Sequence, residues 1–349
     1  MAVFEPRCCV CRHNLSHGSF LPGNGRGRRH YGGCGSKNWH AEILDSVPYA
    51  NPMAPTPRPR RSALYLPGNN ARALEKGKTL PADVLIFDLE DAVGPDAKAD
   101  SRAKVCEVIS SSSSVDYQPR EIVVRINGLG TDWHDDDLAA VAASAAHGVL
   151  VPKVETGKEV QALAAALDGL DAPQPLRLWA MIETPRALLR VEEIASASDR
   201  LAVLVVGTND LVNDMHGLHV PGRAPVVTAL SLAVLGARAA GKAILDGVFN
   251  TITDEAGFRA EARQGREMGF DGKTLIHPSQ IAPANELFGP SQSQLADARK
   301  IVSAYQEAQA AGDSVITVDG RMIESLHVRD AQRILALADL ISELESRAG

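Results

Sequence analysis

From residue 61 onward, short and continuously apolar runs alternate with longer stretches whose apolar positions recur at helical spacing. Eight such runs can be counted: Ala63–Leu66, Val84–Asp88, Ile122–Ile126, Gly148–Pro152, Leu178–Ile182, Ala202–Val206, Ala243–Leu245 and Thr274–Ile276. They are rich in Val, Ile and Leu and do not alternate with polar residues, which is how strands read when both faces of a parallel sheet are buried. The segments between them, among them 139–146, 158–167, 226–240 and 255–268, are Ala/Leu-rich at helical period and predict the covering helices. Eight strand–helix repeats predict an α/β protein built as a (β/α)8 barrel over residues 61–285, with a doubly wound open sheet as the alternative. Beyond residue 285 the pattern turns purely helical, over 291–311 and 328–345, joined by a polar segment from Gly312 to Gly320. Residues 286–349 are therefore expected to form a C-terminal helical extension, a lid or an oligomerisation arm.

The first sixty residues lack either period. They hold eight Lys/Arg against three acids, which leaves 28 basic and 40 acidic residues for the rest of the chain, so the leader carries about +5 and the body about −12. The leader also holds Cys8, Cys9, Cys11 and Cys34, four of the chain's five cysteines. Cys8-x-x-Cys11 followed by His13 and His17 has the ligand types of a zinc site, but little apolar sequence is present to close around a metal. An Arg-rich transit peptide is a second reading, opposed by the many glycines. The favoured expectation for 1–60 is a disordered N-terminal leader, or a biological start at Met53. Cys106, on an apolar helical face, reads as a small buried hydrophobe. No disulfide framework is implied, which favours a reducing compartment: the cytoplasm, or the mitochondrial matrix in a eukaryotic cell.

Composition narrows the function classes. A net charge of −7 with 4% aromatic residues is unsuited to nucleic-acid binding. The richest apolar stretch, 224–245, is interrupted by Arg238, Gly241 and Lys242, so no membrane span is expected.

In a barrel of this kind chemistry sits just beyond the C-terminal ends of the strands. These positions are loaded: Pro67-Gly-Asn-Asn70, Asp88-Leu-Glu90-Asp91, Arg125-Ile-Asn127, Lys153 with Glu155, Glu183-Thr184, Gly207-Thr-Asn209-Asp210, Asp246 and His277-Pro-Ser-Gln280. Glu183 and Asp210 close adjacent strands, and with Asp88, Glu90 and Asp91 they would gather like charges that cannot all stay ionised without a cation. Oxygen-only ligation points to Mg2+, or Mn2+, rather than zinc. Arg125 offers a fixed fork for a carboxylate or a developing enolate oxygen. Against this, Asp91 and Asp96 read equally well as helix caps, His277 as a scaffold histidine rather than a base, and Lys76 as a solvated lysine rather than a phosphate ligand.

Several of these segments together resemble the citrate lyase β-subunit (CitE-like) branch of the HpcH/HpaI aldolase superfamily. They are Arg61-Ser-Ala-Leu-Tyr-Leu-Pro-Gly-Asn-Asn70, Phe87-Asp-Leu-Glu-Asp-Ala-Val93, Val124-Arg-Ile-Asn127, Pro152-Lys-Val-Glu155, Ile182-Glu-Thr184, Gly207-Thr-Asn-Asp-Leu211 and Gly272-Lys-Thr-Leu-Ile-His-Pro-Ser-Gln-Ile281. The resemblance runs from about residue 61 to the C-terminus. It implies a TIM barrel, a divalent metal, usually Mg2+, held by Glu183 and Asp210, and a CoA-thioester substrate. It further implies that Arg125 binds the substrate's carboxylate or thioester oxygen, that Tyr65 and Lys76 lie near the CoA entrance, and that Leu245 and Asp246 line the pocket. The family also brings a carboxylate from a neighbouring subunit in a Gly-(Lys/Arg)-Met-Ile-Asp pattern. Here that pattern reads Gly320-Arg-Met-Ile-Glu324, one methylene longer, with Ser325-Leu326 where a proline often follows. Asp319 is the alternative carboxylate.

The expected activity is thus reversible C–C cleavage of a malyl-, citramalyl- or citryl-CoA type 3-hydroxyacyl-CoA, with Arg125 steadying the enolate and Glu324 moving the proton. The resemblance implies a homo-oligomer, a trimer or hexamer. A malyl-CoA thioesterase and a carrier-dependent subunit of a citrate lyase complex are the alternatives.

Overall fold

The apolar runs pair side by side in chain order and close on themselves. In the computed structural model, which describes residues 58–111, 116–311 and 316–348, eight parallel strands form a closed barrel. They are β1 (Ser62–Pro67), β2 (Val84–Asp88), β3 (Glu121–Arg125), β4 (Gly148–Val151), β5 (Arg177–Ile182), β6 (Leu201–Val206), β7 (Ala243–Asp246) and β8 (Gly272–Leu275), with β8 returning to β1. The TIM barrel is therefore present, and the open sheet is excluded by that last pairing.

The helices are α1 (Ala71–Gly77), α2 (Lys98–Ser110), α3 (His134–Ala142), α4 (Gly157–Gly169), α5 (Pro185–Leu189), α6 (Val191–Ser196), α7 (Thr208–Asp214), α8 (Val227–Ala239), α9 (Glu255–Met268), α10 (Ile281–Phe288), α11 (Gln292–Ala311) and α12 (Ser325–Ala348). Their starts follow local chemistry. Asn70 accepts the N–H groups of Arg72 and Ala73, and Thr156 and Glu159 form a reciprocal capping box at α4. Helix α3 starts and ends earlier than the apolar period predicts, because its first turn is Asp135-Asp136-Asp137, which favours a helix N-terminus but carries no apolar signal.

Strand alternation sorts the side chains into two cores. Val84, Ile86, Val123, Leu150, Trp179, Val203, Val205 and Leu245 point inward, each fully buried. Leu64, Phe87, Val124, Val149, Leu204 and Ile244 point outward against the helices. At the N-terminal end of the barrel the Trp179 ring carries the Arg60 guanidinium 5.3 Å from its centroid, and Arg60 is tied to Glu121 at 2.6 Å. Gly148 is required beside this floor, since a Cβ there would lie 2.9 Å from the indole nitrogen.

The C-terminal extension contains more than helices. Between α11 and α12 a hairpin pairs β9 (Ile316–Val318) with β10 (Arg321–Ile323). Asp319 and Gly320 take φ of 49° and 77° at its tip, the two positive values that a two-residue turn between twisted strands demands. Cys106 is half-buried rather than enclosed, and burial pushes its thiol up to about 11. The readings of the leader, including Cys8, Cys11, His13 and His17, lie outside the described residues. Among the described residues no helix is long and apolar enough to cross a membrane.

Candidate active site

Tyr65, Asp88, Arg125 and Glu183 share the inward parity of their strands, so they converge at the C-terminal mouth. Asp88 and Arg125 are register partners on neighbouring strands. Arg125 Nε and Nη2 donate to the two Asp88 carboxylate oxygens, each at 2.7 Å. Those oxygens also accept the N–H groups of Glu90 and Ala92 at 2.9 and 3.1 Å, so the loop after β2 wraps the carboxylate. Asp88 is thereby neutralised by Arg125 and leaves the set of expected cation-bound acids. Arg125 Nη1 meets Glu90 at 2.9 Å and Asp91 at 3.4 Å, and the guanidinium stacks 4.8 Å from the Tyr65 ring centroid. The fork is thus held on two edges and one face, so a further oxygen would have to share Nη1 with Glu90 or displace it. Burial raises the Tyr65 hydroxyl above its ordinary range, outweighing the opposite pull of Arg125, so it stays a neutral donor.

The second half of the site is anionic. Glu183 is 2% exposed, and one of its oxygens accepts the Lys153 N–H at 2.9 Å. Burial, then the charges of Asp210 and Glu90, push its carboxyl up to about 8. Burial likewise lifts Glu90 to about 7, against the pull of Arg125. Glu183 packs so closely on the strand-end backbone that a Cβ at Gly207 would fall 2.2 Å from its Oε2. Asp210, in the first turn of α7, pairs with Lys153 Nζ at 3.5 Å. Among the described residues no compact group of three His, Cys, Asp or Glu side chains forms. The donors nevertheless suit a hard divalent cation: a buried carboxyl without a guanidinium partner, and a second carboxylate, Asp210, that raises it and lines the adjoining cavity.

That cavity is about 340 Å³, and Tyr65, Asp88, Arg125, Gly207, Thr208, Asn209 and Asp210 supply its polar wall. Met181, Val206, Val248 and Ile276 supply the apolar one. The structure thus gathers Tyr65, Arg125 and Asp210 around this cavity, with Glu183 buried beside it and not on its lining. It does not gather the rest. Leu245 lies within the barrel core at 0% exposed. Asp246 is a correction: as the next residue on β7 it faces the other way, where it accepts from Arg223 Nη1 at 2.7 and 2.9 Å and from Lys273 Nζ at 3.0 Å. Alternation along β7 puts Asp246 on the face opposite Leu245, toward the helices. Lys76 is exposed on α1 and does not line the cavity. Glu324 is exposed just after β10, between exposed Met322 and Leu326, and does not line the cavity of its own chain. His277 caps the short turn that follows it, its Nδ1 accepting the Ser279 N–H at 3.2 Å, the scaffold role. Sequence reasoning missed the clamp of Asp88 on Arg125, the need for Gly207, and the place of Lys153. Adjacency of parallel strands would have found the first.

Residues 61–278 match the family model for HpcH/HpaI aldolase/citrate lyase. The chain is 45% identical over 290 residues to a (3S)-malyl-CoA thioesterase of Cereibacter sphaeroides, covering 83% of this chain and 98% of that protein. It is 33% identical over 314 residues to an L-malyl-CoA/beta-methylmalyl-CoA lyase of the same organism, again covering 83% and 98%. Among solved structures, it resembles the protein CitE from Mycobacterium tuberculosis in complex with magnesium, acetoacetate and coenzyme A, with a TM-score of 0.63 and 30% identity over 80% of this chain and 97% of that one.

Proposed function

The chain belongs to the HpcH/HpaI aldolase/citrate lyase family, whose members compared above are enzymes, and on that premise we propose that it hydrolyses the thioester of a malyl-CoA-type 3-hydroxyacyl-CoA. The observation that carries this reading is a guanidinium locked by Asp88 that shares a cavity of about 340 Å³ with Asp210, beside the buried Glu183 carboxyl whose proton affinity burial and the charges of Asp210 and Glu90 raise. The higher identity to the thioesterase, 45% against 33% for the lyase, moves the weight from C–C cleavage to hydrolysis. Cleavage to acetyl-CoA and an oxo-acid is the second reading, supported by the same share of the chain matching the lyase.

Glu183 and Asp210 would hold Mg2+, or Mn2+ in its place. When bound, the ion supplies Lewis-acid polarisation of substrate oxygens and offsets their negative charge. Arg125, kept in one orientation by Asp88 and Tyr65, would turn Nη1 from Glu90 to the thioester oxygen as charge develops there. Met181, Val206 and Ile276 exclude bulk water from that bond. In hydrolysis a water adds at the thioester carbon, the C–S bond breaks, and the water's proton is passed to the departing sulfur. The carboxylate assigned to that transfer is Glu324 of a neighbouring copy, presented by the exposed hairpin and its flanking Met322 and Leu326. Residues 286–349 are on this reading an oligomerisation arm.

The deciding experiment supplies malyl-CoA, citramalyl-CoA and citryl-CoA with Mg2+ and follows free CoA, acetyl-CoA and oxo-acid separately. Free CoA with intact hydroxy-acid is expected. Acetyl-CoA with oxo-acid would install the lyase reading, and turnover retained in Glu183→Ala or Asp210→Ala would sink the metal assignment.

A further inference from the structure

Among the described residues Lys153 is the one cation paired with Asp210, and it shares Glu90 with Arg125. The residue follows β4 with a φ of 53°, a left-handed conformation unfavourable for a side chain of this kind. Strain of this type persists only where the surroundings enforce it. Here the conformation does two things at once. It aims the backbone N–H at Glu183 Oε1, 2.9 Å away, and it sends the side chain back over the acids, with Nζ 3.5 Å from Asp210 Oδ1 and 3.9 Å from Glu90 Oε1. Arg125 cannot take this place, since Asp88 and Glu90 already occupy its fork. The two cations also differ in how firmly they are held. The Arg125 side chain is 9% exposed and bound on two edges, whereas the Lys153 side chain is 53% exposed and makes only loose ion pairs. An ammonium so placed can leave for water at little cost.

We propose that Lys153 is the stand-in cation of the metal-free site: its ammonium balances Asp210 and Glu90, and a divalent ion must displace it to bind. This inference rests on the metal reading given above. Lys153 is thus a positioning residue that lowers metal affinity while keeping the acids from repelling one another before the metal arrives. The backbone N–H that anchors Glu183 survives any substitution at 153, so side-chain variants separate the two roles.

The test is titration of the metal-free full chain with Mn2+, followed by the paramagnetic signal of the free ion, and with Mg2+ by calorimetry. Lys153→Gln should bind both ions about tenfold more tightly, as removal of one competing charge a few ångströms away implies. Lys153→Arg, which keeps the charge, should stay within about twofold of the native protein. Without metal, Lys153→Gln should melt below the native protein, and added Mg2+ should raise its melting temperature by more. Equal or weaker metal binding by a folded Lys153→Gln protein would overturn the inference while leaving the metal reading intact. Absence of metal binding by the native chain would overturn both. Tightening in Lys153→Arg equal to that in Lys153→Gln would also overturn it, because charge would then not be the cause.

Discussion

Replacing Asp246 by asparagine separates an ion cluster that holds the fold from a pocket residue. Its carboxylate is 0% exposed and accepts two contacts from Arg223, one from Lys273 and the Gly247 N–H at 2.8 Å. Lys273 is itself 0% exposed, so removing the negative charge leaves a buried ammonium and a buried guanidinium facing Glu261 alone, at 2.8 and 3.8 Å. Breaking a buried pair from one side costs roughly 3–5 kcal/mol. Glu261 remains and asparagine keeps one acceptor, so the lower end applies, about 3 kcal/mol. At roughly 2–4 °C per kcal/mol for a domain of this size, the melting temperature should fall by about 6–12 °C. The assay is a thermal melt beside steady-state kinetics at a temperature where both proteins are folded. A KM close to the native value is expected, because the side chain points away from the cavity. An unchanged melting temperature together with a KM raised about tenfold or more would refute the reasoning and return Asp246 to the pocket wall.

Gly207→Ala should damage the anionic half of the site. Its Cβ would stand 2.2 Å from Glu183 Oε2 and 2.5 Å from Glu183 Cβ, so the carboxyl must move; metal affinity measured by Mn2+ titration should drop about tenfold or more, at a stability cost of about 1–3 kcal/mol. The Glu183 carboxyl, raised to about 8 from the ordinary 4.5, binds a proton in the folded metal-free chain that the unfolded chain has already released. Its effect is therefore to lower stability progressively as pH rises from about 4.5 to 8, with the full penalty above that window. Melting temperatures of the metal-free native protein should accordingly fall behind those of Glu183→Gln across this range, and added Mg2+ should recover more at pH 8 than at pH 5. A native protein that gains on the variant with rising pH would contradict the assignment.

The barrel was legible because each strand is a short Val/Ile/Leu run whose identity does not depend on distant partners. The boundary of α3 was not, since three aspartates at its start carry charge information and no apolar period. The hairpin at 316–323 was hidden by its three-residue strands, although Asp319-Gly320 is the dipeptide that a two-residue turn selects. At the site, residue types at strand ends pointed correctly to Tyr65, Arg125, Glu183 and Asp210 as neighbours. What chain order does not reveal is which charges cancel: Asp88 reads as one more acid until its register partner proves to be Arg125. Asp246 needs only the alternation of β7 to be placed, since it falls on the face opposite the core residue Leu245.

The floor of the barrel has a kinetic meaning. Arg60, Glu121 and Trp179, with the packed interior above them, make the molecule a cul-de-sac, so whatever enters at the mouth must also leave there. Under the proposed hydrolysis both products would therefore leave by the one opening through which substrate enters, and each would compete there with fresh substrate for the vacated site.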